Sequence, residues 1–151
     1  MDLYILEKEM ALMHNWWHKL IFICASNELG TIEIGEKIAT LNEDIYTVNL
    51  NLIMSETLVN ISEEKYPLYV EEVTRETFDN PFKIYLLQHI DVLFDPVIKI
   101  NPIRLLENIS KKSKLIVIWP GEYKNNQLVY AQEGHPEYFL SGSFEGKVIL
   151  I

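Results

Sequence analysis

The turn Cys24-Ala25-Ser26-Asn27-Glu28-Leu29-Gly30-Thr31-Ile32 is the first stretch whose residue types suggest chemistry. A loop that cradles phosphate needs glycines that let backbone N–H groups turn inward, a lysine facing the outer phosphates and a Ser or Thr for magnesium. Ser26, Gly30 and Thr31 are fragments of that pattern, and no lysine accompanies them. If Thr31 takes the magnesium position, Gly30 stands where the lysine belongs; if Gly30 is the second glycine, Thr31 stands there. Glu28 adds a negative charge. Exchanging an attractive for a repulsive unit charge about 4 Å from a phosphate shifts the interaction by several kcal/mol even when screened. That outweighs the roughly 0.3 to 2 kcal/mol that a helix N-terminus offers an anion. The expectation is a strand-to-helix connector that holds no cofactor, with ATP and magnesium on an unorthodox loop as the alternative.

A second half of such a site would be an acid at the end of a later buried strand. After Ile84-Tyr85-Leu86-Leu87 that position is Gln88, a neutral amide that brings no carboxylate charge to a hard cation. Asp91 comes three residues later and could polarise a water as general base, or cap the segment leading to Asp95-Pro96. His135 and Glu137, two residues apart, could form an acid/base pair, but no nucleophile stands beside them, and Gly134 and Pro136 favour a structured turn. Arg104, Lys111, Lys112 and Lys114 form a basic cluster, read either as a solvated helix end or as a contact for nucleic acid or an acidic partner. His14 and His18 have helical ligand spacing without a third ligand, so no metal site is expected.

These residues need elements to hold them. Leu3, Leu6, Met10, Met13 and Trp17 recur in steps of three and four, the stripe of an N-terminal amphipathic helix. Leu20 to Ala25 is a continuous apolar run, as a strand buried on both faces should be. Thr31 is placed to cap a helix carrying Ile34, Ile38 and Leu41. Ile45 to Leu50 reads as a second strand, Leu68, Val70 and Val73 as a helix after Pro67, and Ile84 to Leu87 as a buried strand. A helix begins beside Pro102 and ends at Lys111 and Lys112. Leu115 to Trp119 and Lys147 to Ile151 complete the strands, and the polar stretch 121–146 holds a short extra strand at Gln127 to Ala131. Alternating strands and helices with apolar strands predict a mostly parallel sheet covered on both faces, with function at the carboxyl ends of its strands.

The chain of 151 residues is long enough for one domain with a core, and its 48% apolar and 23% charged residues exclude a disordered tail or a disulfide miniprotein. A net charge of -9 argues against wrapping nucleic acid through the overall field. The imbalance is uneven: residues 1–80 hold 15 acids and 5 bases, residues 81–151 hold 7 acids and 8 bases. Any polyanion contact is therefore expected in the second half. One cysteine, Cys24, allows no intrachain disulfide, and no leader or membrane-length apolar run is evident, so a cytoplasmic, soluble protein is expected.

Three stretches resemble BrxF, the small P-loop-containing protein of type III BREX, a bacterial phage-exclusion system. They are Ile90-Asp91-Val92-Leu93-Phe94-Asp95-Pro96, Asn101-Pro102-Ile103-Arg104-Leu105-Leu106, and Tyr130-Ala131-Gln132-Glu133-Gly134-His135-Pro136-Glu137-Tyr138. Tyr46 to Ser55 also resembles that family's second strand and the segment after it, and the specific parts are Leu93-Phe94-Asp95-Pro96 and Gly134-His135-Pro136-Glu137-Tyr138. The resemblance implies an α/β, three-layer P-loop NTPase-like core, with a mostly parallel sheet of about five strands and an N-terminal helix, forming one domain over residues 1–151. It also implies a role in an antiviral system that includes a large ATPase, a DNA methyltransferase and a phosphatase-like protein. The family carries an intact phosphate loop and an acid in the place of Gln88, and Pro120 stands where a polar residue at that strand end could sense the γ-phosphate. The expectation is therefore a degenerate member, an adaptor or regulatory subunit without hydrolysis. Its partners would be other BREX components such as the large ATPase, with DNA met indirectly and self-association left open.

Overall fold

The computed structural model describes residues 3–25 and 28–151. Five parallel strands, β1 (Leu20–Cys24), β2 (Ile45–Asn49), β3 (Ile84–Gln88), β4 (Lys114–Ile118) and β8 (Lys147–Leu150), lie in the order β2-β3-β4-β1-β8. Side chains alternate across such a sheet, so each strand feeds two cores. Ile21, Ile23, Leu86, Ile116 and Ile149 meet Leu6 and Met10 of α1 (Tyr4–Leu12) and Ile34 and Ile38 of α2 (Glu28–Ala39). On the other face Phe22, Leu87 and Val117 meet Leu50 and Met54 of α3 (Leu50–Leu58), Val70 of α4 (Tyr66–Thr77) and Leu106 of α5 (Pro102–Ser110). The result is the three-layer α/β architecture with helices on both faces that continuous apolar strands require. None of the helices is long and apolar enough to cross a membrane, among the described residues.

Four expectations are corrected. Helix α2 starts at Glu28, so Thr31 lies inside its first turns and is not its cap. Trp17 leaves the N-terminal stripe because α1 ends at Leu12 and passes through a 3-10 turn, Met13–Asn15, which leaves Trp17 78% exposed. Leu50 belongs to α3, which the Asn49 side chain caps by accepting from Leu52 N at 3.1 Å. The polar stretch carries three strands: β5 (Glu122–Lys124), β6 (Gln127–Tyr130) and β7 (Phe139–Ser141) pair antiparallel as a separate small sheet. Asn125 and Asn126 turn β5 into β6 with φ of 54° and 61°, the left-handed pair that a tight two-residue hairpin needs.

Trp119 fastens this small sheet to the carboxyl end of the large one. Its ring is fully buried against Phe22 and Phe94, and its Nε1–H donates to the Val129 carbonyl at 3.0 Å. Two residues on, the chain passes so close to β6 that a Cβ on Gly121 would sit 1.9 Å from the Val129 oxygen. Only glycine permits that approach.

Candidate site at the carboxyl ends of the strands

From β1 the chain crosses to the far edge at β2, works back through β3 and β4, and then passes beyond β1 to β8. The order therefore reverses beside β1 and β4, and open α/β sheets bind ligands in the crevice at such a point. A cleft of about 330 Å³ lies there, lined by Thr31, Ile32, Glu36, Gln88, His89, Asp91, Ile118 and Pro120. The structure thus brings together Thr31, Gln88 and Asp91, which the sequence places in separate segments. Gly30 lies one residue before Thr31 in α2. Ser26 and the Glu28 side chain lie outside the described residues.

Among the described residues the cleft lining holds two carboxylates, Glu36 and Asp91, and no lysine or arginine. Gln88 extends across it onto helix α2: a Cβ on Gly35 would meet Gln88 Nε2 at 2.0 Å. The amide thus lies against the helix backbone at Gly35. These residues do not fit magnesium ATP: among the described residues no lysine or arginine meets the triphosphate, and the neutral Gln88 amide brings no charge to the metal.

A second cavity of about 610 Å³ shares His89 and Asp91 with the first and adds Asn49, Asn51, Leu52, Ser55, Val92, Asp95 and Glu137. Asn51 ties α3 to this corner: its N–H donates to the His89 carbonyl and its Oδ1 accepts from Val92 N, both at 2.8 Å. That clamp accommodates the left-handed backbone of His89, at φ 53°. Asp91 Oδ2 accepts from the Tyr130 hydroxyl at 3.0 Å, and the Tyr130 ring stacks on Phe94 at 4.0 Å. Burial first, then the hydrogen bond and charge of Asp91 and the charge of Glu137, push the Tyr130 hydroxyl well above its ordinary pKa. The carboxylate read as a general base thus has one oxygen engaged by a phenol. Sequence reasoning misses Tyr130 as a site residue because its partner is 39 residues away and no local spacing marks it.

His135 and Glu137 are joined in a different way from an acid/base pair. His135 Nδ1 accepts the backbone N–H of Glu137 at 3.0 Å, and the His135 carbonyl accepts from Tyr138 N, so the imidazole closes a turn. Gly134 opens that turn at φ 93°. The segments Phe94-Asp95-Pro96 and Glu137-Tyr138 meet across a cavity of about 130 Å³. Asp95 caps the turn beginning at Pro96 by accepting from Val97 N at 3.0 Å.

The basic cluster divides. Arg104, in the first turn of α5, pairs with Glu107 and donates to the Ser143 carbonyl at 3.1 Å, while buried Glu107 accepts from Glu145 N at 2.7 Å. Arg104 thereby anchors the approach to β8. Lys111, Lys112 and Lys114 stand at the opposite end of the helix, where the next strand begins. Cys24 is buried at the end of β1, and burial pushes its thiol up to about 12, so it stays protonated and unreactive. Among the described residues no three His, Cys, Asp or Glu side chains converge as metal ligands. The chain matches no family model, no curated protein and no solved structure.

Proposed function

We propose that the chain is a non-hydrolysing component of a BREX-type anti-phage system, an adaptor or regulatory subunit on a degenerate P-loop NTPase-like core. The observation that carries this reading is the cleft beside β1: among the described residues Glu36 and Asp91 line it, no lysine or arginine does, and Gln88 rests on α2 at Gly35. The sheet order supports the core assignment, because the strand preceding the helix that carries Gly30 and Thr31 lies inside the sheet with β4 between it and β3. The resemblance of Phe94-Asp95-Pro96 and Gly134 to Tyr138 to BrxF supports the system. Those segments line one small cavity together with the start of α5, which suits a retained scaffold more than a reaction centre.

The test is recovery of partners from cells that carry a complete BREX operon. A tagged chain expressed with the operon should bring down the large ATPase or another component. Recovery of none of them, with all components expressed, overturns the proposal.

A further inference from the structure

The end of the sheet opposite the cleft carries a second pattern. Of the exposed large apolar side chains among the described residues, the two most exposed are Phe82 at 80% and Trp17 at 78%. Both precede strands: Phe82 stands two residues before β3 and Trp17 three before β1. Between those strands lies β4, which begins at Lys114 and directly follows Lys111 and Lys112. Two hydrogen-bonded ties hold these segments together. Lys19 Nζ donates to the carbonyls of Trp16 at 2.9 Å and Lys111 at 3.4 Å, and Ser113 Oγ donates to the Phe78 carbonyl at 2.8 Å. Two strand spacings separate β1 from β3, about 10 Å.

None of Lys111, Lys112 and Lys114 pairs with a carboxylate among the described residues, although the chain carries a net charge of -9. The neighbouring cavity holds Glu71 and Asp79 beside Arg75 and Lys112, so Lys112 stands at its border while Lys111 and Lys114 lie outside its lining. Ordinary surfaces scatter single apolar residues; two aromatic rings bracketing unpaired lysines form a different arrangement. Aromatic faces with interleaved cations fit bases that are free to stack, and a duplex does not offer them. Three lysines also form too small a field to hold a duplex against the acids elsewhere on the chain.

We propose that this edge of the sheet is a ledge for single-stranded nucleic acid, with bases stacked on Trp17 and Phe82 and phosphates held by Lys111, Lys112 and Lys114. The ledge is independent of the cleft and of the role proposed above. Fluorescence anisotropy with labelled oligothymidylate and oligouridylate of about twenty nucleotides tests it. The whole chain should bind at about 50 mM salt, with affinity falling as salt rises. Changing Lys111, Lys112 and Lys114 to Glu should abolish binding. Trp17→Ala and Phe82→Ala should each weaken it about fivefold or more while leaving its salt dependence in place. Both aromatic side chains are exposed, so these variants should melt like the parent, and circular dichroism checks that. Tighter binding of one oligonucleotide identifies the ledge as a DNA or an RNA surface. The proposal fails if neither oligonucleotide binds at low salt or if the double aromatic variant binds as the parent does. Equally tight binding of a labelled polyglutamate peptide also overturns it, since the surface would then take acidic protein without reading bases.

Discussion

The Tyr130 hydroxyl and the Asp91 carboxylate, 39 residues apart in the chain, meet at 3.0 Å where the small antiparallel sheet docks on the carboxyl end of the large one. The pair explains why an acid in a catalytic-looking position serves to hold architecture. Its phenol stacks on Phe94, Phe94 packs on Trp119, and Trp119 holds β6 by its indole N–H. A continuous run of aromatic contacts therefore links Asp91 to the end of β4.

Burial, the Asp91 hydrogen bond and the nearby charges raise Tyr130, and burial raises Cys24 from 9.0 to about 12. In the unfolded chain both groups ionise at their ordinary values, while in the folded chain they keep their protons. The stability they contribute is thus complete below about pH 9 and is lost as pH rises toward the folded values. For Cys24 the loss approaches about 1.4 kcal/mol per pH unit within that window. Urea denaturation from pH 7 to 11 should show the decline, Cys24→Ala should delay its onset, and Tyr130→Phe should flatten its upper part. A parent profile that stays level to pH 11 contradicts the linkage.

Gly35 and Gln88 should behave as a coupled pair. An alanine at Gly35 gains about 1 kcal/mol of helix propensity but forces the Gln88 tip, 2.0 Å from the new Cβ, to swing away. Gly35→Ala alone should be close to neutral, whereas in a Gln88→Ala background it should stabilise by about 1 kcal/mol. A double-mutant cycle reads the difference, and additive effects would show that the amide does not rest on the helix.

Much of this arrangement is legible in the sequence, for particular reasons. Leu20 to Cys24 and Leu115 to Ile118 are unbroken apolar runs because both faces of their strands are covered, and the grouping of Thr31, Gln88 and Asp91 follows from parallel strands sharing one carboxyl edge. Helix α3 is hidden because Leu50 prolongs a strand-like pattern, and the decisive signal is the Asn49 cap followed by Leu50, Met54 and Leu58 at spacings of four. Of the small sheet only β6 is legible, as the short strand from Gln127; β5 and β7 escape because they are three residues long, with Asn125-Asn126 as the local marker. Arg104 and Lys111 to Lys114 look like one cluster by composition, but the helix that the sequence reads from Pro102 to Lys111 already puts Arg104 in its first turn and the lysines at its other end. Tyr130 is invisible to spacing, since its partner arrives through the tertiary fold.

Gly121 is the position where the join between the sheets is least forgiving. A methyl group there would lie 1.9 Å from the Val129 backbone oxygen, and that same oxygen accepts the Trp119 indole N–H. Gly121→Ala must push β6 away and stretch the indole bond, so a loss of at least about 2 kcal/mol is expected by chemical denaturation. Trp119→Phe removes the donor, so the Val129 carbonyl loses the indole bond, at a cost of about 0.5–1.5 kcal/mol. The order of effects, Gly121→Ala at or above Trp119→Phe, distinguishes backbone displacement from loss of one hydrogen bond.

Electrostatics at the cleft lead to the last prediction. Glu36 and Asp91 oppose a triphosphate, and among the described residues no lysine or arginine lines the space to attract one. Calorimetric titration with magnesium ATP should give no saturable heat up to about 1 mM, a ligand free energy weaker than about 4 kcal/mol. Removing the repulsion alone supplies no attraction, so the Glu36→Gln/Asp91→Asn variant should also fail to bind. That double variant separates two explanations. If the acids alone were excluding nucleotide from an otherwise competent cradle, neutralising them would restore binding. Continued failure traces the absence of binding to the missing cation and to the Gln88 amide seated on α2, and micromolar binding by the parent chain would refute both.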